Sequence, residues 1–281
     1  MPAPIIVIGT GLAGYNFGRE FRKADTETPL MYITSDDGRS YSKPMLSTGF
    51  TKSKTAEDLA MATADEMAGH LKASIRTMTH VDTINASEQT ISVAGESIKY
   101  SKLVLAVGAK CIEAPLAGDG ADDVYVINDL MDYGQFREGL AGKKKVFIIG
   151  AGLIGCEYAN DLSNGEFEVE AVDPMSTVLA NLLPEQASQA VRHALETEKN
   201  VKFHFGTVAE SVTKSGDDYE IRLKNGTTTR ADIVLSAIGV RASTALAEKA
   251  GLAINHGIVV NRELQTNDAN IYALGDCAEV E

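Results

Sequence analysis

The chain of 281 residues is short of groups that carry chemistry unaided. Its three cysteines, Cys111, Cys156 and Cys277, lie far apart and form no CxxC or CxxxxC pair, which excludes a disulfide scaffold and a dithiol redox centre. Any redox chemistry therefore has to come from a bound cofactor. The five histidines, His70, His80, His193, His204 and His256, lack metal-ligand spacing, and no metal is expected. Met-Pro-Ala-Pro runs directly into an apolar strand with no basic start, cleavage signal or long apolar segment, so the expected location is cytoplasmic, without membrane insertion. Positive charge is scarce as well: 26 basic against 39 acidic residues leave a net charge of -13, which opposes nonspecific binding to nucleic acid or anionic membrane.

What the chain does have is glycine in two matched places. Gly9-Thr-Gly11-Leu-Ala-Gly14 follows the apolar run Ile5 to Ile8, and Gly150-Ala-Gly152-Leu-Ile-Gly155 follows Val146 to Ile149, 141 residues later. In such a loop the first glycine makes the tight turn, the second admits a pyrophosphate to the backbone, and the third packs helix on strand. One loop is a weak signal; the matched pair predicts two dinucleotides on one chain. A hydrophobic content of 44% with 23% charged residues fits a globular protein large enough for two domains.

Around the first loop, Tyr15 to Ala24 reads as a helix and Leu30 to Thr34 as a strand, the βαβ opening of a doubly wound sheet. The long segment Asp36 to Thr51, rich in polar and aromatic residues, reads as a functional loop, and Ala56 to Leu71 as one acidic helix. Strand signals follow at Val81 to Ile84, Ile91 to Val93 and Ser97 to Tyr100; Leu103 to Gly108 is then a buried strand ending in glycine. Around the second loop the pattern repeats. The strand Val169 to Val172 ends in Asp173, 18 residues beyond Gly155, near the spacing of an acid that takes both ribose hydroxyls of an adenosine. No arginine follows in Pro174 to Leu179, so NADH is preferred over NADPH. Val201 to Phe205, a hairpin-like pair about Asn225-Gly226, and the buried run Asp232 to Gly239 complete the repeat, and Ile271 to Asp276 adds one apolar strand with a carboxylate at its end.

Together these segments resemble the flavin-dependent pyridine nucleotide oxidoreductases. The resemblance implies an α/β fold of two Rossmann-like, glutathione reductase-like domains: FAD on 1–112 with 240–281, and NADH on 113–239. On the FAD side it implies Gly9, Thr10, Gly11, Leu12, Ala13 and Gly14 at the pyrophosphate, with Thr34, Ser35 or Asp36 near the adenosine ribose. Val81, Ala106, Gly108 and Gly275 join them, with Asp276 on the ribityl chain. On the NADH side it implies Gly150, Gly152, Leu153, Ile154, Gly155, Asp173 and Gly239. Lys43, facing the flavin or its pyrophosphate, and Glu157, at the flavin–nicotinamide contact, are the implied catalytic residues.

Within the family, the runs Arg39 to Phe50, Gly150 to Asp161 and Ala273 to Val280 resemble the members that reduce rubredoxin during bacterial alkane hydroxylation. Peroxide-, oxygen- and coenzyme A disulfide-reducing relatives carry a redox cysteine in the LSCG-like loop where this chain has Thr48; many ferredoxin reductases have a lysine there. Without that lysine, Lys52 is the nearest substitute in sequence as partner for Glu157. The alternatives are a ferredoxin reductase feeding an oxygenase, or a module that binds FAD and NADH without docking an electron acceptor. Family members also continue past the GD motif for roughly another hundred residues as an interface domain, so the expectation is either that the sequence is a fragment or that it does without that domain.

Overall fold

Every residue of the strand Ile5–Ile8 is buried, with alternate side chains entering different cores. Ile5 and Val7 pack with Tyr15, Tyr32 and Met67, while Ile6 and Ile8 pack with Ile33, Leu103 and Leu105. A β-branched run covered on both faces is the signature of a parallel sheet. That is what surrounds it in the computed structural model, which describes residues 2–281. The spatial order is Ile271–Ala273, Lys102–Leu105, Ile5–Ile8, Leu30–Ile33, Ala73–Arg76, all parallel. A three-stranded antiparallel meander, Thr83–Asn85, Thr90–Val93 and Glu96–Lys99, accompanies it. These elements belong to a first compact unit formed by Met1–Lys43, Ala60–Lys110 and Arg241–Glu281.

The second unit, Pro44–Leu59 with Cys111–Val240, repeats the design. Its parallel sheet runs Lys202–Phe205, Glu168–Asp173, Lys145–Ile149, Ile233–Ser236, and its meander is Ala209–Ser215, Asp218–Leu223 and Thr228–Ala231. The two sheets share one four-strand order, third, second, first, last; the first unit alone adds an edge strand, Ile271–Ala273, beside Lys102–Leu105. The Asn225-Gly226 turn forms as expected, with Gly226 at φ +89 and the Asn225 side chain accepting from the Thr227 amide.

Two expectations change. Ala56 to Leu71 is not one helix but a short helix Ala56–Leu59, a strand Ala60–Ala62 paired with Ser40–Tyr41, and a helix Ala64–Leu71. The break is imposed at Thr63, whose hydroxyl accepts from the Glu66 amide while the Glu66 carboxylate accepts from the Thr63 amide, a capping box that begins a new helix. Second, Pro44–Leu59, assigned above to the FAD-side domain, belongs to the second unit. Phe50 explains it: its ring packs edge-on against Tyr133, Phe136 and Phe167, and Arg137 lies 4.7 Å over it. Among the described residues no helix is long and apolar enough to cross a membrane.

Candidate functional site

Each glycine of the two loops meets a different demand. Gly9 and Gly150 have φ of +105 and +109, and a Cβ on them would lie 2.3 Å from the Ala106 carbonyl oxygen and 2.6 Å from that of Ala237. A Cβ on Gly14 or Gly155 would meet the carbonyl oxygen of the loop's own first glycine at 2.2 or 2.0 Å. Those four positions are dictated by the chain's own packing. The middle glycines, Gly11 and Gly152, are not: a Cβ there would touch nothing within 4 Å. Their backbone is open from outside, along the approach a pyrophosphate would make.

The helices behind these loops point to the same occupant. Leu12–Ala24 and Leu153–Asn164 start at Gly11 and Gly152 with no side-chain cap and no acid in the first turn. Their first amides therefore keep unsatisfied donors at the positive end of the helix dipole. Two other helices, by contrast, are capped: Thr63 with Glu66, and Asp129 with Asp132, form capping boxes. Leu12 and Leu153, the first residues of the bare helices, are 53% exposed. Two open cradles with free helix amides fit two dinucleotide pyrophosphates.

The acids at the strand ends are placed by register. Ile8 pairs with Ile33 and Ile149 with Val172, so the residues one step beyond, Thr34 and Asp173, occupy equivalent positions. Asp173 accepts from the amides of Ala151, 2.7 Å away inside the second loop, and Met175, at 2.8 Å. In the first unit the equivalent position holds a hydroxyl, and the carboxylate comes from two residues further on. Asp36 Oδ1 accepts from Thr34 at 2.7 Å, from Thr10 of the first loop at 3.0 Å and from the Gly38 amide at 2.9 Å. Thr34 and Asp36 thus act together beside the loop, while Ser35 is exposed.

Gly275, at φ +77, sits so close to the first loop that a Cβ on it would lie 2.7 Å from the Ala13 Cβ, and this brings the exposed Asp276 next to that loop. Ala106 is buried under Gly9, and Gly108 and Gly239 have positive φ, with open space around Gly108 and the Ile112 side chain 3.6 Å from where a Cβ on Gly239 would lie. Val81 is 3% exposed and packed in a core cluster, so its side chain is taken up by the core. Lys43 is half-buried and begins the 3-10 turn Lys43–Thr48.

Glu157 lies on the first turns of the helix behind the second loop. Its partner is not Lys52 but Ser47, whose hydroxyl donates to Glu157 Oε2 at 2.5 Å; the Lys52 ammonium lies 3.8 Å from the Met45 sulfur instead. One turn further along, Asp161, 1% exposed, accepts from the amides of Phe50 at 2.9 Å and Thr51 at 2.7 Å. Sequence reasoning passed over Asp161, Tyr133 and Ser47, because only a contact more than a hundred residues apart reveals the first and last of them. Burial pushes the Cys156 thiol up to about 12 and raises that of Cys277, which disfavours thiolate chemistry at both, and Cys111, Cys156 and Cys277 form no disulfide.

Comparison with known proteins agrees with this geometry. The family model described as pyridine nucleotide-disulphide oxidoreductase matches residues 3–281. A rubredoxin-NAD(+) reductase of Alcanivorax borkumensis is 52% identical over 280 residues, covering 99% of this chain and 73% of that protein. A second, from Acinetobacter baylyi, is 45% identical over 285 residues, covering 99% and 72%. Among solved structures, putidaredoxin reductase in its covalent complex with putidaredoxin superposes with a TM-score of 0.90 at 28% identity, covering 99% of this chain and 68% of that one.

Proposed function

The chain belongs to the pyridine nucleotide-disulphide oxidoreductase family, and from that premise we propose that it takes hydride from NADH through FAD and passes electrons singly to rubredoxin, in support of alkane hydroxylation in the cytoplasm. The observation that carries the reading is the pair of glycine cradles, each with an uncapped helix and its own adjoining acid. When bound, the flavin supplies the conversion between a two-electron donor and a one-electron acceptor.

The chain's residues bind and orient. The amides behind Gly9, Thr10, Gly11 and Gly14 hold the FAD pyrophosphate, with Leu12 and Ala13 beside them. Thr34, Ser35 and Asp36 take its adenosine ribose, the backbone near Val81, Ala106 and Gly108 lines its site, and Gly275 brings Asp276 to the ribityl hydroxyls. Lys43 offers a positive charge to the flavin or its pyrophosphate. In the second unit Gly150, Gly152 and Gly155 receive the NADH pyrophosphate, Leu153, Ile154 and Gly239 flank it, and Asp173 accepts from the ribose hydroxyls. Its carboxylate repels a 2'-phosphate, which favours NADH over NADPH. Glu157, held by Ser47, stands at the nicotinamide. The work is placement and electrostatics, with no thiol relay, since Thr48 occupies the position of a redox cysteine.

The test is NADH oxidation by the flavin-loaded protein with rubredoxin, a ferredoxin and oxygen as competing acceptors. Rubredoxin should be reduced fastest, by about tenfold or more in kcat/KM. Faster reduction of a ferredoxin moves the assignment to an oxygenase reductase, and NADH bleaching with no carrier reduced rejects electron transfer altogether.

A further inference from the structure

Three residues on one face of the helix Leu153–Asn164 bind a single segment distant in sequence. Glu157, Asp161 and Asn164 follow one another at i, i+4 and i+7, which stacks them along that face. Glu157 accepts from the Ser47 hydroxyl at 2.5 Å; Asp161 accepts from the Phe50 and Thr51 amides, one on each carboxylate oxygen; the Asn164 amide group donates to the Thr51 hydroxyl at 2.9 Å. The far side of the segment is anchored too. The Tyr133 hydroxyl donates to the Lys54 carbonyl at 2.8 Å, and Gly49 comes so near Tyr133 that a Cβ would lie 2.0 Å from its hydroxyl.

Asp161 is the member whose cost is hardest to explain by packing alone. It is a carboxylate at 1% exposure that forms no ion pair among the described residues and is satisfied by two backbone amides. Burying such a charge is unfavourable unless its hydrogen bonds are complete, and loss of the acceptor would strand two buried donors. An asparagine could accept from one amide only and would set its NH2 group against the other. Glu157, by contrast, is half-buried, forms no ion pair among the described residues, and is held by the hydroxyl of Ser47. The setting of Glu157 thus depends on Ser47, and the setting of Ser47 on the segment that Asp161 clamps.

The geometry points to Asp161 as a positioning residue for hydride transfer: through the Phe50 and Thr51 amides it holds Ser47 against Glu157 and so fixes the carboxylate at the nicotinamide. This rests on the reading of Glu157 given above. Asp161 touches no cofactor or substrate in this role, and its influence travels only along the Ser47–Glu157 hydrogen bond.

The experiment is a double-mutant cycle on the flavin-loaded protein, with the rate of flavin reduction by NADH measured by stopped flow. Asp161→Asn should slow reduction about tenfold with the NADH dissociation constant little changed, and in a Ser47→Ala background the same substitution should slow it less than about twofold further. Equal losses in both backgrounds, or an unslowed Asp161→Asn, overturn the inference. If Asp161→Asn fails to fold, Asp161→Glu, which keeps both acceptors on a longer arm, takes its place with the same expectations. A readout independent of turnover is hydrogen exchange in the flavin-free protein: the 47–54 amides should exchange about tenfold faster in the variant while Lys145–Ile149 stays protected. Unchanged protection of 47–54 also overturns it. Glu157→Gln separates the two levels, because an unslowed Glu157→Gln defeats the underlying reading, whereas a slowed Glu157→Gln with an additive Asp161→Asn defeats only this one.

Discussion

Asp173 uses one lone pair on each carboxylate oxygen for a backbone amide, Ala151 on one and Met175 on the other. Each oxygen keeps acceptor capacity for a ribose hydroxyl. The side chain that shapes the loop is therefore still able to accept from a nucleotide. Replacing it with alanine should lower the NADH-to-NADPH ratio of kcat/KM by about tenfold or more, mainly through a higher KM for NADH. A ratio that stays constant in steady-state assays with both nucleotides would remove Asp173 from the site. At this scale the spacing from Gly155 was enough to put the acid beside the second loop, because the strand that follows such a loop ends next to it. For the first unit spacing was ambiguous, and register resolves it: the strand-end position holds Thr34, and Asp36 folds back onto it and onto Thr10.

The loop glycines separate folding from binding at the level of the element. Gly152→Ala should leave thermal stability within about 1 kcal/mol of the parent and weaken NADH binding, since its Cβ meets no protein atom. Gly155→Ala should instead destabilise the fold by roughly 2 kcal/mol or more, because a Cβ 2.0 Å from the Gly150 carbonyl forces helix away from strand. Thermal melts beside NADH titrations check both, and equal melting losses would contradict the division. These loops, the strands that lead into them and the Asn225-Gly226 hairpin were legible in sequence, since each is a local pattern of apolar run and turn residue. The break at Thr63 was legible also, for Thr63-x-x-Glu66 is a capping-box signature, but the helical look of 56–71 as a whole masks it. The membership of Pro44–Leu59 was not, because it depends on Asp161, Tyr133 and Phe136 meeting Phe50 and its neighbours across long stretches of chain.

For the whole molecule, acidity and stability are linked through a charge cluster on the second sheet. Glu170 carries a side chain only 10% exposed, paired with Lys145 at 2.8 Å, His204 at 3.0 Å and Lys202 at 3.3 Å, and it accepts from the Thr229 hydroxyl. Burial by itself would raise its pKa, but hydrogen bonds from Lys145, His204 and Thr229 outweigh burial and hold it at about 2, below the usual 4.5. A carboxylate depressed on folding stabilises the native state above its unfolded pKa and loses that contribution as the pH falls through the folded value. Glu170→Gln should therefore cost roughly 2–3 kcal/mol at neutral pH and flatten the stability profile between about pH 4.5 and 2. Denaturant titrations at several pH values measure it, and an unchanged profile would contradict the assignment. The net charge of -13 places docking of an acidic carrier on local patches rather than on overall attraction.

The edge strand Ile271–Ala273 sets an order of events in biosynthesis. It pairs with Lys102–Leu105, so the sheet whose first strand, Ile5–Ile8, emerges earliest from the ribosome gains its last strand only after the second unit has been made. The nascent first unit waits with the Leu103–Leu105 edge open, a long-range closure that slows folding and exposes a strand to wrong partners until residue 273 arrives.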